Sequence, residues 1–452
     1  MTDPIDVTSD AATSSRRRFM RTAAWVTVGL AFANATEQAR AEADAQHALG
    51  AGSPEKAPTL PQQAGFTLPK ATSAITPFRV EIPEGDIADL KARLSRVRFP
   101  EKETVSDWSQ GVPLYKARAL VEYWRDRYDW RKLEQRVNAI PQFRTEIDGL
   151  GIHFLHVRSK HENALPMIMT HGWPGSFIEF LKVIDPLTNP TAHGGTADDA
   201  FHLVIPTLPG FGFSDKPAET GWKIPRIAQA WVVLMQRLGY HRWVAQGGDW
   251  GSSVTHMLAK LQPKGLIAAH VNWQFVYDDK PRPNPTPAEK IALDGIANFV
   301  GDGCGYFREE GTRPQTVGYA LADSPVGQAM WIYQIFQAYT DNKGNPEDAL
   351  TIDEMLDDIS LYWFTNAAAS SGRIYWENAP QGADFNFGTI DLPMAATVFP
   401  REIWRAPKAW AEQMWPNLFY WNEVDKGGHF AAFEQPAIFT QELRKAFRST
   451  RG

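Results

Sequence analysis

Cysteine is almost absent from this sequence, in which Cys304 is the single example among 452 residues. One thiol excludes an intramolecular disulfide and any cysteine-rich zinc site. The fold must therefore be stabilised by packing. Hydrophobic residues make up 43% of the chain, which is enough for a large core.

The sequence also has no run of basic residues beyond its N-terminus, and its formal net charge is −6. Both features argue against nucleic-acid binding. The apolar run over residues 22–35 is too short and too weak to predict a membrane span. We therefore expect no stable membrane span in the mature protein. The sequence leaves the oligomeric state open, with a homodimer as one option.

Residues 1–41 are predicted to be an export signal. The stretch "SSRRRFMR" (14–21) has the paired arginines, the phenylalanine and the later basic residue of a twin-arginine signal, and small residues that could serve as cleavage sites follow. The alternative is a basic, disordered tail. We expect a periplasmic or secreted bacterial protein. Residues 42–74, rich in Ala, Gly, Pro and Gln, are predicted to be a flexible linker.

The next segment, residues 75–141, is predicted to be helical and amphipathic. In "EGDIADLKARLSRVRF", Ile87, Leu90, Leu94 and Val97 recur at the three-to-four spacing of one helix face. This segment forms an N-terminal helical region ahead of the main domain.

Short β-rich runs alternate with helical patterns from residue 142 to residue 277, beginning with a hairpin at Asp148-Gly149. This alternation predicts an α/β fold with a mostly parallel sheet flanked by helices. Residues 278–390 lack a convincing strand and are predicted to be a helical cap over the carboxyl edge of the sheet, where open α/β folds bind ligands. The alternation resumes over residues 391–452 and ends in a helix predicted for 433–448.

The stretch "GGDWG" (247–251) follows an apolar strand and precedes a helix-compatible run. It has the small-x-nucleophile-x-small form of the strand-turn-helix elbow, whose tight turn tolerates only small flanking residues. We interpret Asp249 as a nucleophile, with a structural turn as the alternative. The backbone N–H of Trp250 would then be available to an oxyanion.

An aspartate at this place changes the chemistry that can be expected. A carboxylate is already ionised at neutral pH, so it needs no base to become a nucleophile. It can displace a leaving group at a saturated carbon and become an ester, whose carbonyl water then attacks. This pattern indicates epoxides or alkyl halides rather than peptides or esters.

The second step of such a reaction needs a histidine held by an acid. His429 in "DKGGHFAAFEQP" follows the last predicted strand, although it could instead cap a loop. Glu402 directly follows the strand "AATVFP" and is the predicted acid. Asp425 is the nearer rival within the histidine loop, and Asp391 lies at the wrong end of its strand. The order nucleophile, acid, histidine is that of the α/β-hydrolase fold.

The motif "HGWPGS" (171–176) follows another strand of the predicted sheet. We expect the Trp173 N–H to complete an oxyanion hole with that of Trp250. His171 is predicted to fix this loop rather than to bind a ligand.

Other histidines and aromatic residues have weaker interpretations. His153 and His156 lie three apart on a predicted strand, which places them on opposite faces and argues against a metal pair. Phe177 and Trp273 are candidates for an apolar substrate pocket, although core packing explains them equally well.

Together, these motifs make the chain resemble the microsomal type of epoxide hydrolase. "HGWPGS", "GGDWGS", "GGHFAAFEQP" and the long N-terminal stretch "ITPFRVEIPEGDIADLKARL" carry the resemblance, which covers residues 75–445. It implies that two cap tyrosines, Tyr306 in "GYFREEGTRP" and Tyr375 in "SGRIYWENAP", protonate the epoxide oxygen. It also supports Glu402 as the acid. Eukaryotic members carry an N-terminal membrane anchor, which an export signal replaces here.

The sequence thus predicts an enzyme that converts an apolar epoxide and water into a vicinal diol through an Asp249 ester. We expect this activity to detoxify foreign compounds. No metal and no organic cofactor are expected. A haloalkane dehalogenase with the same nucleophile is the nearest alternative, and a non-catalytic small-molecule-binding member of the fold is another.

Overall fold

The computed structural model of this chain describes residues 65–278, 283–379 and 385–451. The export signal predicted for residues 1–41 and the linker as far as residue 64 lie outside these ranges.

Residues 65–74, predicted to be the end of the linker, contact the folded chain instead. Ala71 is buried. The Glu146 N–H donates a 2.6 Å hydrogen bond to the carbonyl oxygen of Thr72. The linker prediction is therefore wrong for these residues, because their backbone accepts a hydrogen bond from the neighbouring strand.

The N-terminal region forms three helices that bury one face each. Leu90 and Leu94 of the first and Leu120 and Trp124 of the second are buried, as their spacing predicts. The side chain of Asp129 caps the third helix. These helices are α1 (Glu84–Leu94), α2 (Leu114–Asp126) and α3 (Trp130–Asn138).

A nine-stranded sheet runs through the described part of the chain, in the order β1-β2-β3-β5-β4-β6-β7-β8-β9. The first three strands and the β3–β5 pair are antiparallel, and the remaining pairs are parallel. The prediction of a mostly parallel sheet is confirmed. The strands are β1 (Thr76–Pro77), β2 (Gln142–Ile147), β3 (Leu150–Val157), β4 (Leu165–Thr170), β5 (Phe201–Pro206), β6 (Trp243–Gly247), β7 (Leu266–Val271), β8 (Met394–Val398) and β9 (Leu418–Glu423).

Helices connect the parallel strands of the first half of the sheet. The apolar residues of the longest two are buried at helical spacing, and these two helices pack against each other. The connecting helices are α4 (Ile184–Thr188), α5 (Ile224–Arg237) and α6 (Asp249–Leu261).

A helical cap is inserted between β7 and β8, as predicted. Pro287, Pro314 and Pro325 each stand at the first position of a cap helix, where the missing N–H costs nothing. The cap helices are α7 (Pro287–Asn298), α8 (Gly305–Thr312), α9 (Pro314–Asp323), α10 (Pro325–Tyr339), α11 (Ile352–Phe364) and α12 (Ala368–Asn378).

The N-terminal region braces this cap through buried polar contacts. The Trp124 indole N–H donates to the Ser360 hydroxyl at 3.0 Å, and the Tyr128 hydroxyl donates to Asp357 at 2.9 Å. Both acceptors belong to α11. The cap is therefore supported from the N-terminal side as well as from the sheet.

The chain ends in α13 (Lys408–Met414), α14 (Ala431–Glu434) and α15 (Pro436–Phe447). The single helix predicted for 433–448 is divided into two, because Pro436 has no N–H and its ring clashes with a preceding helical turn. The short α14 carries the residues that follow His429.

Candidate active site

Asp249 stands at the junction of β6 and α6, in a sharp turn. Its φ of +51° lies in the left-handed region, which is strained for a residue other than glycine. A Cβ at Gly247 would lie 2.0 Å from the carbonyl oxygen of Gly251, and a Cβ at Gly251 would lie 1.9 Å from that of Thr170. The turn therefore requires glycine at both positions, which is the physical origin of the "GGDWG" pattern.

The structure brings Asp249, His429 and Glu402 together from distant parts of the chain. The His429 Nε2 lies 3.0 Å from Asp249 Oδ2, and its Nδ1 lies 2.5 Å from Glu402 Oε1. His429 and Glu402 are buried, whereas the rival acid Asp425 is exposed. The imidazole is thus held between two carboxylates.

The protonation of His429 follows from this placement. Burial lowers the pKa of the imidazole, but the negative charge of Glu402 and the hydrogen bonds to Asp249 and Glu402 outweigh it. The pKa of His429 is therefore raised well above its ordinary 6.5, and the ring is an imidazolium at neutral pH. Its charge depends on Asp249 remaining ionised.

Glu434 fixes the loop that presents His429, a function that the sequence analysis missed. Its carboxylate accepts hydrogen bonds from the N–H groups of Gly428 and Phe430, each at 3.0 Å, on either side of the histidine. The His429 N–H donates to the carbonyl oxygen of Tyr339 in the cap at 2.9 Å. The loop is therefore anchored both to α14 and to the cap.

The predicted oxyanion donors lie beside Asp249. The Trp173 N–H donates to Asp249 Oδ1 at 2.8 Å. Trp250 is the second residue of α6, and N–H groups of a first helical turn have no partner within the helix. An oxygen of the Asp249 side chain can therefore be stabilised from the backbone.

His171 holds the loop that supplies Trp173. Its Nδ1 donates to the carbonyl oxygen of Gly172 at 2.9 Å, and its Nε2 accepts from the Leu208 N–H at 3.2 Å. Burial lowers the pKa of His171 to about 4, so the ring is neutral. This arrangement matches the loop-fixing interpretation.

Tyr306 and Tyr375 extend from α8 and α12 to the same place. Their rings lie 5.9 Å apart, and both contact the Trp173 ring, at centroid distances of 4.9 and 5.6 Å. Burial is the main cause that raises the pKa of each phenol well above 10, and the charge of Asp249 adds to it. Both tyrosines therefore stay protonated and can donate.

The tyrosines and Asp249 line an aromatic cavity, which also includes Trp273, Phe275 and Phe307. The Trp273 ring meets that of His429 edge-on at 5.2 Å. Trp273 therefore lies where the sequence analysis expected a substrate contact.

The prediction that Phe177 contacts the substrate is wrong. Phe177 is buried in the core, where its ring lies 5.3 Å from His153 and 6.1 Å from Phe213, and it does not line the aromatic cavity. Phe177 is the first residue of a 3₁₀ turn, Phe177–Phe180, and its ring packs in the core.

Glu179, two residues later in that turn, lines a second cavity with Asp249, His429 and Asn272. Neither Glu179 nor Asn272 was predicted as a site residue from the sequence. The available signal was a single acidic residue within the otherwise apolar run "FIEF" after the "HGWPGS" motif.

His153 and His156 have separate partners. His153 contacts Thr207 and Gln142, and His156 contacts Tyr240. Over the ranges that the structure describes, no cluster of three or more His, Cys, Asp or Glu side chains could hold a metal ion. In the same ranges, none of the helices has the length and apolar character needed to cross a bilayer.

The arrangement can carry out covalent chemistry at a carbon atom. A carboxylate faces an aromatic cavity that contains two phenol donors, and backbone N–H groups and a paired imidazole lie at its back. A carboxylate that could act as a nucleophile thus contacts a candidate base, and it shares a cavity with two possible proton donors for a leaving oxygen.

Comparison with known families agrees with this geometry. Residues 75–180 match the family described as the epoxide hydrolase N terminus, and residues 166–292 match the alpha/beta hydrolase fold.

Individual proteins are similar over most of the chain. A putative epoxide hydrolase from Stigmatella aurantiaca is 63% identical, covering 83% of this chain and 86% of that protein. Epoxide hydrolase 1 from Sus scrofa is 34% identical, covering 82% and 88%. The crystal structure of juvenile hormone epoxide hydrolase from Bombyx mori superposes with a TM-score of 0.77 at 27% identity, covering 84% of this chain and 96% of that one.

Proposed function

The chain belongs to the microsomal type of epoxide hydrolase within the α/β-hydrolase superfamily, and from this membership we propose that it works through an ester on Asp249. As an epoxide hydrolase it adds water to an epoxide and releases a vicinal diol. The observation that supports the ester is the position of the Asp249 carboxylate, which lines the tyrosine cavity and contacts both His429 and the Trp173 N–H.

In the first step, a carboxylate oxygen of Asp249 attacks an epoxide carbon and the carbon–oxygen bond of the ring breaks. Tyr306 and Tyr375 hold the epoxide oxygen, and one of them gives it a proton. Because burial raises both phenol pKa values, the resulting phenolate is unfavourable and must be reprotonated.

Ester formation also changes the state of His429. Asp249 loses its negative charge, which is one of the causes that raise the pKa of the imidazole. The pKa of His429 then falls, and the proton that it releases balances the one that the phenol has donated. The histidine becomes neutral at the point in the cycle when a base is needed.

In the second step, His429 takes a proton from water and the hydroxide oxygen bonds to the carbonyl carbon of the ester. The N–H groups of Trp173 and Trp250 stabilise the oxyanion, and Glu402 stabilises the imidazolium. The acyl–oxygen bond then breaks, His429 protonates the departing alkoxide, and the diol leaves with an oxygen that came from Asp249. Asp249 is left as a carboxylic acid, and its proton passes to His429, which restores the carboxylate and the imidazolium.

Single-turnover hydrolysis in heavy-oxygen water tests this scheme. The label is expected in the Asp249 side chain and not in the first diol. A His429→Gln variant should accumulate the alkyl-enzyme, measured as added mass on the intact protein, and an Asp249→Asn variant should gain none. Label found directly in the first diol would overturn the ester mechanism.

For the substrate, we propose an apolar epoxide, because aromatic rings line the cavity around the tyrosines. The free volume of this cavity is about 10 Å³, which has room for about one water molecule. Some of the aromatic side chains must therefore move aside when an epoxide binds. A panel of aliphatic, aromatic and terpenoid epoxides, with Asp249→Asn as the blank, would define the class and test a role in detoxifying foreign compounds.

For the location, we propose twin-arginine export to the periplasm or the medium, supported by the "SSRRRFMR" stretch. Replacing both Arg16 and Arg17 with lysine should retain the enzyme in the cytoplasm of a bacterial host. Activity measured in periplasmic and cytoplasmic fractions decides the matter, and unchanged fractionation would contradict the proposal.

A further inference from the structure

Asp249 separates two cavities of different character. The aromatic cavity contains Tyr306 and Tyr375, and the second cavity contains Glu179 and His429. Among the described residues that line these two cavities, Asp249 alone belongs to both. A molecule in either cavity therefore meets the same carboxylate from its own side.

The second cavity, named here the water cavity, has the size and the lining that suit a water molecule. Its volume is about 20 Å³, and a single water needs about 10–15 Å³ by this measure together with two to four polar partners. Glu179, Asn272, His429 and Asp249 supply polar groups around it. The two cavities therefore differ in their lining, which includes several polar side chains here and is mainly aromatic on the tyrosine side.

The position of the Glu179 carboxyl is set by the loop that precedes it. A Cβ at Gly175 would lie 1.4 Å from Glu179 Oε1, so the carboxyl occupies the place of a side chain at that residue. The Ser176 side chain caps the 3₁₀ turn through the Ile178 N–H and also donates to Asp358 of the cap at 2.6 Å. The turn that carries Glu179 is thus fixed by Ser176, and its carboxyl lies against Gly175 at the wall of the water cavity.

Resting on the Asp249 ester proposed above, we propose that the water cavity holds the water that hydrolyses the ester, and that Glu179 is the residue that positions this water. The epoxide then binds on the tyrosine side, and the water is bound on the opposite side of Asp249. Neither has to displace the other between the two steps.

In this arrangement a carboxyl oxygen of Glu179 accepts one hydrogen of the water, and His429 Nε2 takes the other as the water oxygen bonds to the ester carbonyl carbon. Glu179 neither gains nor loses a proton. Burial, and after it the neighbouring Asp358, raises the pKa of Glu179 well above 4.5, although the charge of His429 acts in the opposite direction. This shift disfavours the ionised carboxylate and leaves His429 as the base. Glu179 therefore acts on the second step only.

The test follows the two steps separately in single turnovers, with a turned-over epoxide from the panel. In Glu179→Ala, the rate of ester formation should stay within about twofold of the wild type, and hydrolysis of the ester should slow by about 10–100-fold, as for other losses of positioning. Mass measurement should show the ester accumulating. Glu179→Gln keeps an acceptor oxygen and should recover most of the lost rate.

Two further variants keep the test decisive. Ala432→Val adds volume to a residue that lines the water cavity, and it should slow the same step without altering Glu179. Glu354→Gln is the matched control, since this carboxylate pairs with Lys182 between core and cap but lines neither cavity. Its two rates should equal those of the wild type.

The outcomes distinguish this inference from the mechanism on which it rests. Normal ester hydrolysis in Glu179→Ala, or equal slowing of both steps, would overturn the positioning role while leaving the Asp249 ester intact. Failure to detect any ester, even in His429→Gln, would overturn both.

Discussion

Gly172 and Asp249 are in such close contact that a Cβ at Gly172 would lie 2.0 Å from Asp249 Oδ1 and 2.3 Å from its Cβ. The loop after β4 therefore forms a wall against the carboxylate, and the next residue donates its N–H to the same oxygen. The motif requires glycine here because any side chain would displace the reacting group.

Replacing Gly172 with alanine tests this contact. We expect the added methyl group to displace the Asp249 carboxylate and to lower kcat/KM by about 100-fold or more, since small misplacements of reacting groups are costly. Diol formation measures the loss, and a thermal melt checks the fold. Gly85→Ala is the control, because a Cβ there meets nothing within 4 Å. Full activity in Gly172→Ala would show that the wall is not required.

The tyrosine pair should affect ester formation and not ester hydrolysis. We expect Tyr306→Phe and Tyr375→Phe each to slow the first step by about 10–100-fold, because a general acid typically contributes about 10²–10⁴-fold and one donor remains. The double variant should be slower than either single one. Burst-phase kinetics measure this step. Tyr319→Phe, at an exposed cap tyrosine, is the control. Equal slowing of both steps would argue for a structural role.

The charge of His429 should follow that of Asp249. In the wild type, the paired carboxylates raise the pKa of His429 well above 6.5, so its imidazolium should persist beyond neutral pH. Asp249→Asn resembles the ester in having no charge, and it removes one of these causes, so the pKa should fall. Nitrogen NMR titration of the imidazole measures the shift. His171, with its pKa of about 4, should be neutral in both proteins. An unchanged His429 titration would contradict the coupling proposed between the two steps.

The buried acid Asp358 should make the protein less stable as the pH rises. Burial raises the pKa of Asp358 from 3.8 to about 8, so between these values the unfolded chain has released a proton that the folded chain still holds. The free energy of unfolding should therefore fall with pH across this window, by at most about 1.4 kcal/mol per pH unit from this group.

The variant Asp358→Asn isolates that contribution. It keeps an oxygen for the Ser176 hydroxyl and cannot ionise, so its stability relative to the wild type should improve from pH 5 to pH 8. Urea unfolding at both pH values gives the comparison, and other titrating acids cancel because both proteins share them. A difference in stability that does not change with pH would show that Asp358 has the same pKa in the folded and unfolded chains, and it would contradict the prediction.

The proximity of the three triad residues could be predicted from the sequence, whereas other features of the site could not. Asp249, Glu402 and His429 each follow a strand of the parallel sheet, and the carboxyl ends of such strands meet at one edge. Their proximity was therefore predictable from chain order and strand position alone.

Other features depend on packing between segments that are distant in the sequence. Phe177 and Glu179 both lie in a 3₁₀ turn, which ordinary helical or strand periodicity does not reveal. Residues 65–74 have the composition of a linker, yet they meet strand β2. Glu434 holds the histidine loop through hydrogen bonds from two backbone N–H groups, and sequence spacing does not indicate such contacts.

The brace between the N-terminal helices and α11 has a consequence for the design of chimaeric enzymes. Trp124 and Tyr128 are matched to Ser360 and Asp357, which lie more than two hundred residues further along the chain. If only the cap of a relative were transplanted, Trp124 and Tyr128 would lose their hydrogen-bond partners. A buried polar atom without a partner destabilises the protein. Substrate preference should therefore transfer only when both stretches of chain are exchanged as a matched set.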